Sequence, residues 1–86
     1  MGLEHVDFVL ALEDRLSIRV PSARMERVRA VGDAEEMVLS LVRETGRAFE
    51  EHTVRWQVRE LIADETAIEI DRIRPEMRLI EDLGWG

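Results

Sequence analysis

The chain has 86 residues, is 45% hydrophobic and 36% charged, and carries a formal net charge of −7, which fits one small ordered domain burying roughly 60% of its unfolded surface and too short for a large enzyme-type cleft. All of the basic charge is Arg, and an acidic surface repels phosphate backbones, so nucleic acid is disfavoured as a partner and a basic protein surface is favoured. With no Cys there is neither a disulfide framework nor a thiolate zinc site, and without an apolar run of about 20 residues or a leader pattern, no membrane association and a cytoplasmic location are expected.

Residues 3 to 16 place Leu3, Val6, Val9, Leu10, Leu12 and Leu16 at three- and four-residue spacings, with Glu4, Asp7, Glu13 and Asp14 between them. This predicts an amphipathic helix with its apolar stripe on the core and an acidic outer face. The next stretch, Ser17 to Pro21, alternates and ends on proline, so it reads as an extended connector. Residues 23–31 are polar around Met25 and Val28 and can form two helical turns at most.

A helix-start signal at Gly32 and Asp33 opens a second long helix, predicted over 32–49, with Ala34, Met37, Val38, Leu41 and Val42 on one face. From Glu50 a third run carries Val54, Val58, Leu61 and Ile62. It gives way to an irregular connection with Ile68, Ile73, Met77 and Leu79 as apolar anchors, and Glu81 to Gly86 form a turn. Three main helices, one short helix and a structured loop predict an all-α bundle in a single domain. Between Asp33 and Asp64 the only breaker is Gly46. Either the chain turns near residues 45–53 and closes a monomer, which is favoured, or two helices fuse and a swapped homodimer forms.

With residues 50–86 placed ahead of residues 1–49, the chain resembles an acyl carrier protein along nearly its whole length. Glu81, Asp82, Leu83 and Gly84 match the family's turn before its second helix. Leu3, Glu4, Val6 and Asp7, then Ala11, Leu12, Glu13 and Asp14, match that acidic second helix. Ile18, Val20 and Pro21 match the connector after it, and Val31 to Ala34 match the opening of the last helix. The resemblance implies an acyl-carrier-like four-helix bundle in circularly permuted order, natural or engineered, with residues 1 and 86 near each other in space. In that register residues 1–49 supply the family's second to fourth helices, and residues 50–86 supply its first helix and the following loop.

The family carries 4'-phosphopantetheine on a Ser at the start of the second helix. Gly2 stands at that position, so the attachment hydroxyl is missing and no covalent cofactor is expected. The resemblance further implies that Glu4, Asp7, Glu13 and Asp14 dock on basic-surfaced partners such as acyl-transfer enzymes; without it, the same residues read as a solvated face. No catalytic or metal site is expected, because His5 and His52 each stand beside an acid with no second ligand pair or nucleophile motif. Trp85 can close over a pocket mouth or pack on Leu3 and Val6, of which packing is favoured, and Met25, Met37 and Met77 are expected as gap-fillers in the core or in a pocket lining. The alternative function is a structural or scaffold helical module unrelated to acyl transfer.

Overall fold

A computed structural model describes residues 3–84, with side chains from Val6 onward. Four helices run in the order α1 (Leu3–Leu16), α2 (Ser22–Met25), α3 (Val31–Glu44) and α4 (Glu51–Thr66), followed by a single 3-10 turn at Ile70–Arg72. The packing is all-α: α4 lies against both α1 and α3, while α2 leans on α3 and the 3-10 turn on α4. The radius of gyration, 11.9 Å, is that of a compact domain of this length, about 12 Å. No helix among the described residues is long and apolar enough to cross a membrane.

Each helix end has a local cause. The first helix stops because Ser17 takes a left-handed conformation (φ 52°), and the Arg47 guanidinium donates to the released carbonyls of Leu16 (2.7 Å) and Ser17 (3.2 Å). The third helix stops before Gly46, whose φ of 76° suits glycine. Residues 45–50 then reverse the chain, so α3 is shorter than the 32–49 helix predicted and no fused helix forms within the chain. α4 ends on Ala67 in the left-handed region (φ 60°), with its N–H bonded to the Ala63 carbonyl at 2.8 Å.

The start of α3 is satisfied by the long loop instead of by a side chain at its cap, Ala30. The backbone N–H groups of Val31 and Gly32 donate to the carbonyls of Met77 (2.9 Å) and Pro75 (2.7 Å), and the Leu79 N–H donates to Arg29 (2.9 Å). Asp33 reaches back to accept from the Arg29 and Ala30 N–H groups at 3.0 and 3.1 Å, one half of a capping box. These bonds dock residues 73–79 on the bundle and bury Ile73 and Leu79, with Ile68 and Met77 packed at the edge of the core. The four anchors predicted in that loop all take this role.

The core contains one charged side chain. Glu35 is fully buried, and it accepts from Arg55 Nη1 at 2.9 Å and Arg59 Nε at 2.6 Å. Arg55 also reaches Glu36 (2.6 Å) and Glu51 (2.8 Å), and Arg43 stands 3.7 Å from Glu51, so a six-residue ionic network ties α3 to α4. Every charge in it is paired, which is the condition under which a buried carboxylate is tolerated.

Candidate functional site

The acidic helix α1 is apolar on two sides, and the predicted stripe mixed them: Leu12, Val9 and Leu16 face the core as expected, whereas Val6 and Leu10 do not. Phe8 and Leu12 are fully buried, with Val9, Ala11 and Leu16 partly so. Val6 and Leu10, expected to face the core, are 52% and 58% exposed. The physical reason lies in the 3.6-residue period: Phe8, Leu12 and Leu16 repeat every four residues and define one face, whereas Val6 and Leu10 lie well over 100° around the helix from it. The bulkiest of the competing side chains, Phe8, wins the core.

The Asp7 and Asp14 carboxylates are exposed beside this outer apolar pair and make no hydrogen bond or ion pair with the other described residues. Glu13 differs. It is half-buried, and its carboxylate accepts the Val20 N–H at 2.8 Å, so it holds the connector after α1 in place. The Glu4 side chain and Gly2 lie outside the described residues, as do Met1, Trp85, Gly86 and the His5 side chain; the expected proximity of residues 1 and 86 and the packing of Trp85 concern residues in that group.

Between α1 and α2 an open groove of ≈ 240 Å³ is lined by Val6, Val9, Leu10, Val20, Ser22 and Met25. The exposed surface of α1 therefore combines two aliphatic side chains, two carboxylates unpaired among the described residues and the lip of an apolar groove. Such a surface can seat apolar side chains from another protein while its carboxylates draw in cations. Met25, expected in the core or a pocket lining, does both: it lines the groove and is 2% exposed.

His52 is exposed on α4, 3.7 Å from Glu50 and 3.5 Å from the Thr53 hydroxyl. Among the described residues no three His, Asp or Glu side chains converge as metal ligands. Trp56 is half exposed on the outer side of α4. No protein-family model, curated protein sequence or solved structure matches the chain.

Proposed function

We propose that the chain is an acyl-carrier-like docking module in circularly permuted order, acting by protein contacts and not by carrying a prosthetic group. The observation that carries this reading is the outer face of α1, where Val6 and Leu10 stand exposed beside the Asp7 and Asp14 carboxylates, which have no partner among the described residues. Apolar side chains left in water at the centre of a carboxylate-rimmed face are what a docking helix needs: the carboxylates orient the encounter and the aliphatic pair supplies burial once contact is made. The order of elements supports the same reading. Taken as α4, the loop closing on Asp82 and Leu83, then α1, α2 and α3, it follows the order the resemblance implies, and Leu83 is buried in the same core as Phe8.

In this reading Gly2 leaves no oxygen to accept phosphopantetheine, and the partners are acyl-transfer enzymes with basic docking patches. The test is binding of the purified chain to a panel of carrier-dependent ketosynthases and acyltransferases, with intact-mass measurement after treatment with a phosphopantetheinyl transferase and coenzyme A. The expected result is binding to at least one enzyme, weakened at least about tenfold by Leu10→Asp, and no added mass. Failure to bind any of them would leave the scaffold reading, and a mass increase of one phosphopantetheine would overturn the non-carrier role.

A further inference from the structure

The last turn of α1 carries two features that work against a helix end. Asp14 sits there with a carboxylate that has no partner among the described residues, at the end of the helix where the macrodipole disfavours negative charge. Ser17, just beyond, holds the left-handed conformation (φ 52°) despite its β-carbon, a backbone state that glycine adopts more readily. Arg15, the basic residue of that turn, does not offset them, because its guanidinium is engaged with Glu60 of α4 at 3.0 Å.

The side chain that serves this end comes from elsewhere in the chain. Arg47 belongs to the reversal between α3 and α4, and its Nη2 donates to the Leu16 and Ser17 carbonyls at 2.7 and 3.2 Å. The chain has 19 acidic residues, yet Arg47 pairs with none of the described carboxylates and lies instead at the negative end of the α1 dipole. Its aim is fixed locally. The Thr45 hydroxyl donates to the Val42 carbonyl at 2.6 Å and accepts from the Arg47 backbone N–H (3.2 Å) and Nε (3.1 Å). Thr45 thus orients the guanidinium, and the guanidinium holds the end of α1.

We propose that Arg47 is a positioning residue for the docking face: from a turn outside that face it keeps the last turn of α1 closed, and so fixes where Asp14 meets a partner's cation. This rests on the docking function proposed for α1. Asp7 lies in the second turn of the helix, seven residues and about 10 Å along the axis from Asp14, beyond the reach of fraying at the far end. The two carboxylates keep that spacing only while the last turn is helical. Removing Arg47 therefore weakens the contribution of Asp14 and spares that of Asp7.

The test uses the 15N-labelled full chain with three substitutions at exposed positions. Arg47→Met keeps an apolar stem and removes the donors, Arg47→Lys keeps the charge, and Thr45→Val removes the hydroxyl. Arg47→Met should speed amide exchange at Asp14, Arg15 and Leu16 at least about fivefold, and Arg47→Lys should fall between it and the parent. Thr45→Val should act in the same direction and add little once Arg47 is Met. The readout that a merely structural role would not move is the association rate with a carrier-dependent enzyme. Asp14→Asn should slow it about threefold in the parent and under about 1.5-fold in Arg47→Met, while Asp7→Asn slows both alike. Unchanged exchange in Arg47→Met would overturn the hold on α1, with or without an enzyme. Faster exchange with an undiminished Asp14 effect would overturn the positioning role. If no enzyme binds the parent, the docking reading fails and the positioning role with it, whereas the exchange rates still decide whether Arg47 holds the turn.

Discussion

Replacing Glu35 by Ala removes the one acceptor that two guanidinium groups share inside the core. Two charge-assisted hydrogen bonds disappear, at 2.9 Å to Arg55 and 2.6 Å to Arg59, and breaking a buried ion pair in this way costs about 3–5 kcal/mol. The structure puts the cost at the lower end. The Arg55 and Arg59 side chains are 28% and 25% exposed, so water can partly replace the carboxylate, and Arg55 keeps Glu36 and Glu51. A loss of about 3 kcal/mol is therefore expected, from a total of roughly 4–13 kcal/mol for a domain of this length. Glu35→Gln, which keeps the shape and an acceptor but not the charge, should lose about half as much. Urea unfolding followed by circular dichroism reads both, and with a slope of about 1 kcal/mol per molar the Ala variant's midpoint should fall by roughly 3 M. A Glu35→Ala midpoint within about 0.5 M of the parent would refute the reasoning, as would strict additivity with Arg59→Ala, since paired residues must couple.

Phe8→Ala should cost about 3–5 kcal/mol in the same assay, because the ring is fully buried, whereas Leu10→Ala should cost under about 0.5 kcal/mol at a position 58% exposed; reversed magnitudes would restore the stripe expected from sequence. Gly32→Ala should destabilise, although Ala is ordinarily favoured over Gly in a helix by about 1 kcal/mol. A Cβ there would sit 3.2 Å from the Pro75 carbonyl oxygen, in a loop held by the Gly32 and Val31 N–H bonds, so faster amide exchange at Gly32 and Val31 and a lower melting temperature are expected; a higher melting temperature would contradict the close approach. The Arg55 hydrogen bond, then its charge, hold the Glu51 carboxyl below its ordinary 4.5. A depressed folded value means that its stabilisation is complete above the unfolded value and fades as pH falls through the folded one. The difference in midpoint between the parent and Glu51→Gln should therefore be constant above about pH 5.5 and shrink below pH 4.5, and a difference that grows on acidification would reverse the sign.

What the sequence made legible follows from which signals are local. The apolar periods of α3 and α4 were readable because Val38 and Val42 in the one, and Val54, Val58 and Ile62 in the other, recur every four residues. The loop anchors were readable because Ile73 and Leu79 are large apolar residues in a polar stretch. Helix α1 misled because it has two apolar stripes, and periodicity alone does not say which one meets the rest of the fold. The end of α3 required the left-handed turn at Gly46, a single residue whose presence permits a turn without enforcing one. Glu35 was invisible, since a glutamate beside Glu36 reads as surface until Arg55 and Arg59 arrive from another helix. For the candidate site, the acids at 7 and 14 were legible as an outer face. The role of Glu13 was not, because its partner is a backbone N–H seven residues away.

The proposed recognition of a basic partner by the outer face of α1 is tested most directly by the association rate constant with a carrier-dependent enzyme as a function of ionic strength. The rate is expected to fall steeply as salt rises and screens Asp7 and Asp14 from the partner's cations. Asp7→Arg with Asp14→Arg should lower the rate at low salt by tenfold or more and flatten its salt dependence, while dissociation changes less. An association rate indifferent to both the salt and the double substitution would contradict the claim and leave those carboxylates as a solvated face.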